Sequence, residues 1–355
     1  MNNQPEFDSS TFDAGSGKKI RSYFSRIGLG LALMLVVATA VQLLAVKLID
    51  TYAPAIRSTD WFIWALSLLP MYLCGLPIFL ICIRRAPVMA PEKHKIPTGH
   101  WFIILLMCFG VMYAGNYLGT YITFSIDTLL GRETTSVVSN ALASSSPIFN
   151  FIAAVIIAPI LEELVFRRLI IDRTRAYGEK TAIVFSGLLF GLYHGNLQQF
   201  FYAFGLGMLF AYVYTRTGKL RYTVLLHMVI NFFGSIVAMF VLNAIDLEAI
   251  MAFAEQMVDA EYVASLSADP EAYAAFINEF IAILPGMLLY LGYALLVFGA
   301  AIAGVVLFFV KKRRFIFKPA EFQLPRERVG NTVYFNLGVF TLILICAVMM
   351  VSSLM

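Results

Sequence analysis

Between Arg26 and Lys47 the chain carries no charged side chain, and uncharged stretches of comparable length recur to its end. About 20 apolar residues are what a helix needs to cross a bilayer core ~30 Å thick. Inside that core every backbone N–H and C=O must be satisfied within the protein, so only helices and closed barrels can cross it. Nine stretches qualify as spans: 27–49, 61–83, 101–125, 148–176, 181–197, 199–215, 220–242, 281–310 and 332–354. The expected fold is all-α, a polytopic transmembrane helix bundle of about eight to nine spans, in which 199–215 could instead be re-entrant. Composition agrees, since 60% hydrophobic against 14% charged residues leaves nothing from which a soluble domain of ordinary make-up could be cut.

The charges alternate with these spans. All but three of the 26 Lys and Arg residues fall in the blocks 18–26, 84–95, 167–180, 216–221 and 311–328, which one side of the membrane would share. The other side has Lys47, Arg57 and Arg132, and a segment, 243–282, with eight acidic residues and no Lys or Arg. The positive-inside rule makes this a multi-pass cell-membrane protein with a cytoplasmic N-terminus, and nine spans put the C-terminus outside. The lipid bilayer is thus its solvent, and its net charge of +4 reflects topology, with no nucleic-acid partner implied. The first apolar run continues past the cleavage-like Ala38-Thr39-Ala40, which reads as an uncleaved anchor. Cys74, Cys82, Cys108 and Cys346 lie in apolar runs without metal or redox spacing and read as small buried hydrophobes. The chain divides into a cytoplasmic tail (1–26), N-terminal transmembrane helices (27–147), a transmembrane core (148–242), an acidic extracytoplasmic segment (243–280) and C-terminal transmembrane helices (281–355). The acidic segment reads as one or two short helices, either a solvated loop or a cap over a site.

Glu162 and Glu163 stand side by side in the middle of an apolar span. A charge at the bilayer centre costs about 2.5–3.5 kcal/mol on insertion scales, so such groups need a partner, a water-filled cavity or a function. Arg167, four residues after Glu163, shares its helix face and can pair with it, whereas Glu162 points elsewhere. Pro159 lacks an N–H and crowds the preceding turn, so the helix should kink or open just before the glutamates and admit water. Two of the four histidines, His194 and His227, are intramembrane, and Asn231 follows His227 at the spacing of one helix face. Counted from the turn at 177–180, Glu162 and His194 lie at a similar depth, roughly 21–23 Å. Counted from Arg221, His227 and Asn231 lie shallower, roughly 9 and 15 Å, so helix tilt or a fourth span reaching into the cytoplasm is needed to unite the four.

No zinc H-E-x-x-H, di-iron E-x-x-H, rhomboid G-x-S-G or aspartyl G-x-G-D pattern is present; Val184-Phe185-Ser186-Gly187 does not supply a serine nucleophile motif. Two carboxylates, two imidazoles and a carboxamide can activate water and donate to an oxyanion, which suits amide hydrolysis. The order E-E-x-x-x-R (Glu162, Glu163, Arg167), F-x-x-x-H (Phe190, His194) and H-x-x-x-N (His227, Asn231) on separate spans resembles the CAAX prenyl protease and bacteriocin-processing (CPBP, or Abi) family over about 148–242. That resemblance implies an intramembrane endopeptidase acting on peptide or protein substrates in or at the membrane, reached from the cytoplasmic side or laterally from lipid. Glu162 and His194 would activate water, His227 and Asn231 would stabilise the oxyanion, and Glu163 with Arg167 would support them. No cofactor is required by this reading, although Glu162, His194 and His227 could hold zinc. Arg168 stands where the family often has Gly and brings another charge near the site. The resemblance leaves the substrate open, among relatives from prenylated C-termini to bacterial peptides. Two other classes fit the same residues: a non-catalytic membrane immunity or scaffold protein, and a proton-coupled transporter.

Overall fold

A computed structural model describes residues 14–132, 134 and 137–354. Every described secondary element is helical, and each expected span is a helix: α1 Ala14–Tyr52, α2 Phe62–Ile83, α3 Thr98–Leu130, α4 Pro147–Tyr177, α5 Glu179–Tyr193, α6 Leu197–Thr217 and α7 Leu220–Asn243. Two short helices, α8 Leu247–Val258 and α9 Ala260–Ala268, lead into α10 Pro270–Lys311, and a bent pair, α11 Arg326–Tyr334 and α12 Leu337–Ser352, closes the chain. Six of these helices are individually long and apolar enough to cross a bilayer, and the bent pair would make a seventh. The other two expected spans, α5 and α6, are not among the helices long and apolar enough to cross, and they form a largely buried hairpin.

The first 13 residues of the expected tail lie outside the described residues; from Ala14 the tail is already helix, the first turns of α1. The boundary expected at 280/281 falls inside α10, whose 42 residues give a rod of about 63 Å, twice a bilayer core. Pro270 opens it, capped by the Asp269 side chain, so the helix starts well before the apolar run does. Cys108 and Cys346 are buried as expected, but Cys74 is exposed on the outside of α2, which in a bilayer is a lipid-facing position.

The five basic blocks converge on one face of the bundle. There Phe322 N and Leu324 N donate to Ala176 O and Tyr177 O, Met89 N donates to Asp172 O, His94 N donates to Thr217 O, and Arg216 pairs with Glu179. The ends of α1 and α3, which carry Asp50 and Asp127, the connection with Asp60 and the helices α8 and α9 make up the opposite, acidic face. Close approach inside the bundle depends on missing side chains. A Cβ on Gly207 of α6 would sit 2.9 Å from the Cα of Gly187 in α5, and a Cβ on Gly304 of α10 would collide with Leu106 O in α3. Small residues let transmembrane helices pack this way when no hydrophobic force separates protein from lipid.

Candidate active site

The expected kink at Pro159 takes the form of widened, π-type turns over Phe151–Ile157 and again over Leu164–Ile171, on either side of the short regular stretch Ala158–Glu163. In a π-type turn Ala154 O would look to the N–H five residues on, which is Pro159 and has none. Asn231 Nδ2 fills the vacancy by donating to Ala154 O at 2.8 Å. One backbone irregularity therefore fixes how α7 docks on α4 and turns the Asn231 amide toward the glutamates.

Beneath them Glu163 and Arg167 are completely buried and joined by two hydrogen bonds, Nε to Oε2 at 2.9 Å and Nη2 to Oε1 at 3.2 Å. Arg167 Nη1 donates to Ser186 Oγ at 2.8 Å, and that hydroxyl donates to Phe166 O at 2.8 Å within the widened turns. The rings of Phe190 and Phe210 flank the guanidinium at 5.1 and 5.8 Å. Glu163 Oε1 also lies 3.2 Å from His227 Nδ1. A carboxylate only accepts, so Nδ1 carries the proton and Nε2 is the nitrogen presented on the other side of the ring. Ser186 was legible in the sequence only as a failed nucleophile motif; its role here is to hold the arginine. Arg168, expected beside the site, turns away, half exposed, with Nε 3.6 Å from Asp172 Oδ2.

Above this cluster lies a cavity of about 370 Å³ lined by Glu162, Phe190, His194, His227 and Asn231 among others. Glu163 and Arg167 do not line it. His194 Nδ1 donates to Phe190 O at 2.8 Å, which leaves Nε2 as the lone-pair nitrogen of the neutral ring. His227 Nε2 is 3.7 Å from Glu162 Oε2, too long for a direct hydrogen bond. Asn231 has committed one of its two N–H groups to Ala154 and keeps the other. The depth mismatch disappears because α4 extends beyond the basic-face turns: Tyr214, just before the α6–α7 turn, donates to Asp172 Oδ1 at 2.9 Å, five residues short of the end of α4.

Uncharged polar residues that sequence reasoning passed over complete the walls: Trp64, Asn116, Gln199, Tyr202 and Tyr293. Gln199 Nε2 donates to Tyr202 OH at 2.7 Å, and Gln199 is held in turn by Asn196, whose side chain caps α6 by accepting from Gln199 N at 2.9 Å. The pattern Asn196-x-x-Gln199 after His194 was a readable helix start. Among the described residues no three His, Cys, Asp or Glu side chains converge as a metal site. Glu162, His194 and His227 are thus not gathered as a three-ligand set in this arrangement, although each imidazole keeps its Nε2 uncommitted.

Residues 144–233 match the family described as type II CAAX prenyl endopeptidase Rce1-like, against the 148–242 expected from the motifs. The chain is 35% identical over 86 residues to the putative membrane peptidase YdiL of Bacillus subtilis strain 168, a match covering 23% of this chain and 34% of that protein. It is 28% identical over 157 residues to the membrane-embedded CAAX protease MroQ of Staphylococcus aureus strain USA300, covering 41% of this chain and 59% of that one. The matches thus span about one third and about three fifths of these relatives' lengths. No solved structure matches the chain.

Proposed function

We propose that this multi-pass membrane protein, whose 144–233 core belongs to the Rce1-like CAAX prenyl endopeptidase family, is an intramembrane endopeptidase in which Glu162 activates water. The observation that carries the reading is a single cavity shared by Glu162, His194, His227 and Asn231, four intramembrane polar groups from two helices and the end of a third. Water held between Glu162 and His194 Nε2 gives a proton to the carboxylate as its oxygen attacks the scissile carbonyl. The developing oxyanion takes hydrogen bonds from the free Asn231 N–H and from His227 Nε2 when that nitrogen is protonated. The protonated Glu162 then returns its proton to the leaving amine as the C–N bond breaks. Glu163 and Arg167 act through His227, as positioning residues rather than members of the reacting set. The N-terminus and the basic face are cytoplasmic in this reading.

The region between the cavity and the basic face is packed with the buried Glu163–Arg167–Ser186 cluster. The test is cleavage of a membrane-tethered peptide library by purified wild type and Glu162→Gln, each with and without a zinc chelator. Cleavage by wild type alone is expected, and chelator sensitivity would add a metal to the chemistry. Equal cleavage by the folded Glu162→Gln protein would refute the mechanism, and cleavage by neither would favour the non-catalytic partner.

A further inference from the structure

The cavity is lopsided. In α4 its wall consists of Glu162 and the two alanines one and two turns before it, Ala158 and Ala154, roughly 6 and 12 Å toward the acidic face. In α7 the wall begins at His227 and continues outward through Asn231 and Ser235 to Ala238, five residues from the acidic end of the helix. In α6 it lies entirely in the acidic-side half, from Gln199 to Leu206, and in α2 it is Trp64, near that helix's acidic-face start. Leu142, in the connection between α3 and α4 on the acidic face, completes the outer end. No lining residue comes from the basic-side halves of α5 or α6, and in α4 and α7 the lining reaches no nearer that face than Glu162 and His227. That region is instead filled by the buried Glu163–Arg167–Ser186 cluster and by Phe166, Phe185, Phe210 and Tyr214, all of them fully buried.

We infer that the site is reached from the acidic face, so that its substrate is a peptide segment descending from the extracytoplasmic side rather than one presented from the cytoplasm. The assignment of that face follows from the basic blocks on the opposite one. The part concerning substrate rests on the protease reading; the part concerning access does not. It also replaces the cytoplasmic approach that the sequence led us to expect. The walls specify the segment further. Glu162 is the one carboxylate lining the chamber, no Lys or Arg lines it, and the other polar groups are neutral amides, phenols and an indole. Such groups suit the main-chain N–H and C=O of an extended chain with small or apolar side chains, and a charged side chain would be left unpaired there. A volume near the lower end of the ~300–1,000 Å³ common for ligand sites admits a few residues, not a folded domain.

Access is tested by single cysteines in the full-length protein in sealed vesicles of known sidedness, with the four native cysteines replaced. Ala158→Cys and Ala238→Cys report the chamber; Lys93→Cys and Glu248→Cys, at exposed positions on the two faces, report sidedness. A membrane-impermeant thiol reagent should modify both chamber cysteines from the side that modifies Glu248→Cys, with loss of labelling when it is applied from the Lys93→Cys side. Labelling with Lys93→Cys, or from neither side, overturns the inference. With a cleavable tethered peptide, the adduct on Ala238→Cys should abolish cleavage, and undiminished cleavage would refute access by this route. A wild type that cleaves nothing would defeat the protease reading while the labelling still decides the direction of the chamber.

Discussion

Replacing Arg167 by Leu removes the guanidinium paired with Glu163 and leaves a carboxylate with no exposed surface and His227 Nδ1 as its remaining side-chain partner among the described residues. Breaking a buried pair from one side costs about 3–5 kcal/mol, because the uncompensated charge stays buried. In a protein of this size that corresponds to a fall of about 4–7 °C in apparent Tm, read by loss of the monodisperse peak after heating in detergent. Removing both partners is different in kind. In Glu163→Leu/Arg167→Leu no charge remains, Ser186 Oγ keeps its bond to Phe166 O, and the flanking rings of Phe190 and Phe210 accept an aliphatic neighbour. Buried ion pairs replaced by apolar residues of similar volume are often neutral or stabilising, so the double variant should recover most of the lost stability. It should not recover activity, because His227 has lost the acceptor that fixes its tautomer, a loss worth up to about 10⁴-fold in a comparable imidazole–carboxylate arrangement. Thermal stability and peptide cleavage measured on the same preparations separate the two effects. A double variant with wild-type cleavage would refute the positioning role, and a single variant as stable as wild type would refute the energetic argument.

Pro159→Ala should restore a donor for Ala154 O, tighten the α4 turn and release Asn231; the expected outcome is a higher apparent Tm with a lower kcat, and a rise in both would count against the arrangement. Asn231→Ala should lower kcat by about 10²–10³-fold, the loss seen when one oxyanion donor is removed, with little change in KM. Asn150→Ala should cost about 1–3 kcal/mol, since this buried amide accepts from Trp64 Nε1 at 2.7 Å and donates to Leu142 O and Ser145 O at the outer end of the chamber; unchanged stability would argue that this end is not a fixed structure. Gly304→Ala should destabilise by about 1–3 kcal/mol through the clash with Leu106 O, measured as the fraction surviving heat in detergent.

The bundle itself was legible because lipid enforces it: each uncharged stretch had to be a helix, and the basic blocks had to share a face. The Glu163–Arg167 pair was legible for a local reason, the i, i+4 spacing. So was the common face of His227 and Asn231, which both reach the chamber. What the sequence could not express is what depends on a second helix. Proline announces a missing donor at 159, but not that Asn231, 72 residues later, would answer for it. Ser186 offers a hydroxyl in an apolar run, and nothing local says that its partner is Arg167. The run of α10 through 280/281 was hidden by its acidic first third, which reads as a short helix apart from the span although its Ala and Glu residues let one helix continue through. The direction of the chamber was beyond any single-helix argument, since it follows from which halves of four helices are filled with aromatic rings.

The blind floor of the chamber has an electrical consequence. If water reaches Glu162 from one side, the electrolyte extends to the middle of the membrane, and the transmembrane voltage falls mainly across the protein that remains. Each elementary charge carried across 100 mV is worth about 2.3 kcal/mol, and compressing that drop into half the thickness roughly doubles the local field. Glu163 and Arg167 stand at the top of this dielectric plug as a dipole with no net charge. The potential across a polarised membrane therefore exerts no net force on this pair, although it lies where the drop would be steepest.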